Sequence, residues 1–196
     1  IIVENFDSTE RANIVERFNS LSFLTETIDP DAWVIFSDSD DLVFQKNPIE
    51  YLKTVPIYYD IVATTEGVLF KNNTWTRNNL ISSFPKMYNA LSDQYFCNAG
   101  SIAAKAKIFG KLAKEIVNLC DSAPKGQKHD QVALNILLYS SKYKSQVYFT
   151  SPADGWCFCG ASSIFASPEN RRGYTGVPPR IINGLCKTSK GLIPVM

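Results

Sequence analysis

The most constraining stretch of this sequence is Trp33-Val34-Ile35-Phe36, which runs without a break into Ser37-Asp38-Ser39-Asp40-Asp41. A short apolar run bounded by polar residues reads as a buried strand. In extended chain, residues i and i+2 point to the same side, so Asp38 and Asp40 converge at the strand's mouth. No basic residue adjoins them. Two close carboxylates resist joint ionisation unless a cation lies near. Mg²⁺ and Mn²⁺ take oxygen ligands, and Mg²⁺ is commonly held by one or two carboxylates plus substrate phosphates. The stretch therefore predicts a metal and a phosphorylated ligand at the end of a strand. The plain alternative is a solvated turn, since Asp and Ser form turns readily. A calcium loop starting at Asp38 fails on spacing, because Leu42, Val43 and Ile49 stand where a polar ligand, a glycine and a glutamate are needed.

The remaining pattern alternates strands with helices. Ile1-Ile2-Val3 reads as the end of a strand, and Ser8 as the cap of a helix of about ten residues with Ile14, Val15 and Phe18 inward. Asn47-Pro48-Ile49-Glu50 carries a helix start, with Asn47 as cap and Pro48 in the first turn. Residues 60–64 read as a strand and residues 72–79 as a polar loop. Helices follow over roughly 103–120, with Ile108, Leu112, Ile116 and Leu119 spaced three or four apart, and over roughly 130–140. Residues 146–150 read as a strand, and the tail as loops with a short strand at Ile181-Ile182. Such alternation predicts an α/β fold with a mostly parallel sheet flanked by helices, and ligands bound beyond the carboxyl ends of its strands.

Composition narrows the partners. With 20 basic and 19 acidic residues in 196, the chain shows no electrostatic footprint for nucleic acid. No apolar run approaches the roughly 20 residues that span a bilayer. Five cysteines in no zinc-like spacing are expected to be reduced and partly buried, in a cytoplasmic protein. A secretory-pathway lumen is the alternative if an anchor has been removed, and Asn72-Asn73-Thr74 is a glycosylation triplet consistent with it.

Four blocks in order carry a resemblance: Asp38-Ser39-Asp40; Tyr95-Phe96-Cys97-Asn98-Ala99-Gly100; His129-Asp130-Gln131-Val132-Ala133-Leu134-Asn135; and Ile181-Ile182-Asn183-Gly184-Leu185-Cys186-Lys187. They are similar to the D-x-D, F-N-A-G, D-Q-x-x-x-N and C-terminal H-x-N-G…K segments of nucleotide-sugar glycosyltransferases with the GT-A fold, a Rossmann-related architecture. Together they cover roughly residues 30–190, and glycosyltransferase domains of large algal viruses are a further likeness.

The resemblance implies a hexosyltransferase that moves a sugar from a nucleoside diphosphate sugar, UDP foremost, to a hydroxyl of a glycan or protein acceptor, with Mn²⁺ or Mg²⁺. Asp40 and Asp38 would hold the metal, with Asp38 also reaching the nucleotide. Ser39, Asn98, Ala99, Gly100 and Lys187 would contact the nucleotide or donor, with Lys128 and Arg77 as further cations. Asp130 and Asp154 are the candidate catalytic carboxylates, since an inverting transfer needs a base at the acceptor hydroxyl. Trp156 is a candidate for stacking on a sugar, and Tyr174 for a lid.

Two departures stand out: Asn183 lies near where many retaining members place a metal-binding histidine, and the family's first strand and helix have no counterpart before Asp38. Residues 1–196 are expected to be a single glycosyltransferase domain whose first strand and helix are either lacking or lie upstream of Ile1. The competing readings are a metal-dependent phosphohydrolase with an aspartyl nucleophile and a non-catalytic nucleotide or carbohydrate binder.

Overall fold

The computed structural model describes residues 15–38, 47–124, 129–151, 154 and 156, and the backbone of 180–182, 185–188 and 191–194. In chain order the elements are α1 (Glu16–Leu24), β1 (Trp33–Ser37), α2 (Pro48–Leu52), β2 (Ile61–Leu69), α3 (Thr74–Ser83), α4 (Tyr88–Leu91), β3 (Tyr95–Lys105), α5 (Ala106–Ser122), α6 (Asp130–Leu138), β4 (Val147–Thr150), β5 (Arg180–Ile182), β6 (Leu185–Thr188) and β7 (Gly191–Pro194). Short 3₁₀ turns punctuate the connections. Among the described residues no helix is long and apolar enough to cross a membrane.

The chain is mixed α/β. Its main sheet has the order β1-β3-β2-β4. The expectation of a mostly parallel sheet is corrected here. Strand β3 runs antiparallel to both β1 and β2, and only β2 and β4 pair in parallel. The reason lies in the connection from β2 to β3. A parallel return needs a crossover to the opposite edge of the sheet. Here α3 and α4 fill that connection, and β3 re-enters at the edge that β2 left. Strands β1, β2 and β4 consequently all run toward the end of the sheet at which β3 begins, β1 and β4 stopping short of it.

Side chains alternate between the two faces of this sheet. On one face Ile61, Ala63, Ile102 and Ala104 pack with Phe18 and Leu21 of α1, with Phe109, Leu112 and Ile116 of α5, and with Leu134 and Leu138 of α6. On the other face Val62 and Ala103 meet Leu52 and Val55, together with partly buried Tyr51, Tyr59, Tyr148 and Trp156. A third cluster beside the far end of β2 joins Val68, Phe70 and Phe96 to Leu80, Leu91 and Val132. Strand β2 is buried on both faces up to its last residue, as a central strand should be.

Local chemistry explains the starts of α2 and α3. Asn47 accepts a hydrogen bond from the Ile49 N–H at 3.0 Å, and Pro48 opens α2 as expected. The loop expected over 72–79 is instead the start of α3. Asn73 caps it by accepting from the Thr76 N–H at 2.9 Å. Its inward face consists of Thr76, Leu80 and Ser83, too little apolar pattern to be read from sequence. The expected helix over 103–120 begins at Ala106, because 103–105 complete β3. The first described helix is Glu16–Leu24, later than expected; the strand at Ile1–Val3 and the Ser8 cap lie outside the described residues. The tail expected to be mostly loop contains β5, β6 and β7, a three-stranded antiparallel meander.

Candidate functional site

The site forms where β1 and β4 end. Asp38 follows β1 directly, and its N–H donates to the Gly100 carbonyl at 2.9 Å, extending the β1–β3 pairing by one residue. Gly100 is what lets the aspartate settle there. A Cβ at that position would stand 2.1 Å from Asp38 Oδ2 and 2.6 Å from its Cγ, so the carboxylate occupies the space that any side chain would fill.

The ladder between β2 and β3 breaks at this point. Ala63 faces Ile102 and Thr65 faces Cys97, so Asn98, Ala99, Gly100 and Ser101 stand opposite Thr64 alone. Thr65 and then Leu69 face Cys97 and Tyr95, so Glu66, Gly67 and Val68 stand opposite Phe96 alone. Gly67 takes φ 70°, the left-handed region that glycine tolerates best. Bulges of this kind re-aim side chains and recur beside functional sites. The two face each other: Asn98 Nδ2 donates to Glu66 Oε1 at 3.0 Å, and Asn98 Oδ1 accepts from the Gly100 N–H at 2.7 Å.

Two of the sequence blocks meet here for a geometric reason. Asn135 Oδ1 accepts from the Cys97 N–H at 2.7 Å, and its Nδ2 donates to the Cys97 carbonyl at 2.8 Å. One turn earlier, Gln131 Oε1 accepts from the Ala99 N–H at 3.4 Å. Four residues of helix advance about 6 Å, and two residues of strand advance about 6.6 Å. The Gln-x-x-x-Asn spacing therefore matches alternate amides of β3 and docks α6 edge-on against the bulged segment, where ordinary strand pairing is lost.

That docking brings Asp130 to Asp38. Asp130 is the first residue of α6, with Oδ1 accepting from the Gln131 N–H at 2.8 Å. Between the two carboxylates lies Arg17 of α1. Its Nη1 donates to Asp38 Oδ1 at 2.5 Å and its Nη2 to Asp130 Oδ2. The rings of Phe18 and Phe36 lie 5.3 and 5.2 Å from the guanidinium carbon and flank the charge. Burial works against the Arg17 cation, but Asp130 and Asp38 more than offset it, so its pKa is raised. Asp38 keeps its side chain 38% exposed, against 12% for Asp130. Asp38 is thus the member of the trio most open to a ligand.

Neighbouring groups set the local chemistry. Glu66 is buried, and burial pushes its carboxyl from 4.5 up to about 7 despite the opposing hydrogen bond from Asn98. His129 is lowered by burial, partly countered by Asp130, so its imidazole is neutral at pH 7. Burial also raises the Cys97 thiol strongly, which removes it as a nucleophile. Cys97 and Cys120 are both buried and take part in no disulfide among the described residues.

Of the residues expected in the site, Asp38, Asn98, Ala99, Gly100 and Asp130 come together. Ser39, Asp40, Asp41, Lys128 and Tyr174 lie outside the described residues. Lys187 has its backbone in β6 opposite Arg180. Arg77 lies in α3. Asp154 bonds its own turn, with Oδ2 accepting from the Ser151 N–H at 2.6 Å and from the Ser151 hydroxyl at 2.9 Å. Trp156 packs on Tyr51, ring centres 5.1 Å apart, beneath the opposite face of the sheet. Two site residues escaped the sequence reading. Arg17 carries no local signal. Glu66 had one, a lone acid followed by glycine inside the apolar run of β2.

A hollow of about 410 Å³ among the described residues lies elsewhere. It is lined by Thr25, Pro30, Lys107 and Gly110 at the edge where β1 begins and β3 ends, and the hydroxyls of its buried polar residues, Ser22 and Thr25, are spent on backbone carbonyls of Asn19 and Ser22. The converging polar chemistry locates the site better than the hollow does. Compared with known proteins, the sequence matches no protein-family model and no curated protein.

Proposed function

We propose that this chain is a metal-dependent glycosyltransferase of GT-A type, moving a sugar from a nucleoside diphosphate sugar, UDP foremost, to an acceptor hydroxyl on a glycan or protein. The observation that carries this reading is the placement of Asp38. It is an exposed carboxylate at the carboxyl end of a strand, seated on a glycine and joined through Arg17 to Asp130 at a helix start. Ligands of open α/β sheets bind at this kind of edge.

No cluster of three metal-binding side chains occurs among the described residues, and Asp38 is the described carboxylate open to a hard cation. Asp38 Oδ2 lies in the space left by Gly100 and takes no hydrogen bond from any described residue. Asp38 and Asp40 would hold Mn²⁺ or Mg²⁺, and the ion would neutralise charge on a leaving diphosphate. The protein's own groups have distinct tasks. Arg17 fixes the separation of two acids that would otherwise repel and keeps a positive charge beside the phosphates. Asp130 is oriented through both oxygens, and each oxygen retains a lone pair for a sugar or acceptor hydroxyl. The Asn98–Gly100 segment offers a close backbone approach to the donor.

The aspartyl-nucleophile alternative draws less support. An enzyme of that class calls for a second acidic pair near its nucleophile, and Asp38 instead faces the single carboxylate of Asp130 across Arg17. Calorimetry with UDP-, GDP- and dTDP-sugars, with and without Mn²⁺, tests the proposal. The expected result is Mn²⁺-dependent binding of one donor series, release of the free nucleotide, and loss of both in Asp38→Ala. Donor binding that is unchanged in Asp38→Ala, or the absence of binding across the panel, would overturn it.

A further inference from the structure

Glu66 is a buried carboxylate within the central strand β2, whose residues are all buried up to Leu69. Burying a carboxylate is costly unless it is well bonded, and among the described residues its one hydrogen bond comes from Asn98 Nδ2. An apolar side chain would fill the same space without that cost. The placement therefore calls for a reason in what Glu66 does to Asn98.

Asn98 has an oxygen and an amide that can exchange places. The site works in only one orientation, because the Gly100 N–H needs an acceptor and finds Asn98 Oδ1 at 2.7 Å. Glu66 Oε1 accepts from the Asn98 NH₂, which leaves Asn98 Oδ1 turned toward the Gly100 N–H. Gly100 in turn presents its carbonyl to the Asp38 N–H at 2.9 Å and its bare Cα face to the Asp38 carboxylate. A continuous chain of contacts runs from Glu66 through Asn98 and Gly100 to Asp38, crossing both bulges.

We propose that Glu66 is a positioning residue: by fixing the orientation of Asn98 it holds the Gly100 seat and so sets the direction of Asp38. The significance of this for donor binding rests on the transferase reading; the mechanical claim does not. In this role Glu66 touches no substrate.

Amide hydrogen exchange on the full chain tests the claim without any ligand. In Glu66→Leu the Gly100 and Asp38 amides should exchange roughly tenfold faster, the scale of losing a buried hydrogen bond to a charged group. The amides of Ile61 and Val62 should stay as protected as before. Glu66→Gln keeps an acceptor oxygen and should restore both site amides to within about twofold of the original rates. If Glu66→Leu does not fold, Asn98→Ala breaks the next link and should expose the same two amides. Unchanged rates at Gly100 and Asp38 in the variant that folds, or equal acceleration throughout β2 and β3, overturns the role. A parallel titration with UDP and Mn²⁺ separates the two ideas. An original chain that fails to bind would sink the transferase reading, whereas the exchange rates alone judge Glu66.

Discussion

The two halves of the β2–β3 ladder are built on opposite principles. In the first, Ile61, Val62 and Ala63 face Ala104, Ala103 and Ile102 in regular register, fully buried and apolar on both faces. In the second, the register slips twice, Gly67 takes a left-handed conformation, and Glu66, Asn98 and Gly100 replace hydrocarbon with a polar relay. The same pair of strands thus changes from a packing device to a positioning device within a few residues. The regular half should govern stability and leave ligand affinity alone. The irregular half should do the reverse, and even cost stability.

Ile102→Ala, in the regular half, presses hardest on this contrast. It removes a fully buried side chain from the centre of the main core and should cost about 4 kcal/mol, within the range for such truncations. Urea denaturation checks this, and donor affinity of the remaining folded protein should be unchanged.

The next effect has the opposite sign. Because the Glu66 carboxyl is raised from 4.5 to about 7 in the fold, the unfolded chain releases this proton at lower pH than the native one. Its contribution is fully favourable below pH 4.5 and is lost as pH rises through about 7. The loss amounts to roughly 3 kcal/mol, at 1.36 kcal/mol per unit. Glu66→Gln should flatten this slope, so that its stability relative to the original chain is higher at pH 8 than at pH 5. Denaturation at the two pH values reads the difference, and an identical slope in both proteins would refute it.

Gly100→Ala sharpens the contrast from the irregular side. Its new methyl group meets the Asp38 carboxylate and must displace it. Displacements of about 1 Å at a site can cost on the order of a hundredfold, so Mn²⁺-dependent donor binding should fall by that scale. Titration calorimetry measures it. A variant that binds as tightly as the original would show that Asp38 does not need its seat.

The same division decides what could be read from sequence. The capped start at Asn47, the apolar periodicity behind α5 and the run from Trp33 into Asp38 all follow local rules, and each predicted its element. Strand β3 does not: Asn98, Ala99, Gly100 and Ser101 have weak strand propensity, and they are held extended by β1 on one side and by Gln131 and Asn135 on the other. Missing β3 as a strand is what made the sheet look mostly parallel. Helix α3 was hidden because its inward face is largely polar. The pairing of Gln131 and Asn135 with β3 explains why those two sequence blocks belong together, something their separation in the chain conceals. Arg17 was unreadable for a different reason, because its role comes entirely from residues distant in sequence.

That distance has a consequence for how the molecule comes into being. Arg17 is separated by 21 positions from Asp38 and by 113 from Asp130. Contacts of such long span form slowly, because the loop must close before they reward it. During synthesis the acid of Asp38 emerges early, yet its seat on β3 and its counterpart on α6 arrive only after most of the described chain has left the ribosome. The site can therefore be completed only once α6 has been made and has folded back against α1 and β3.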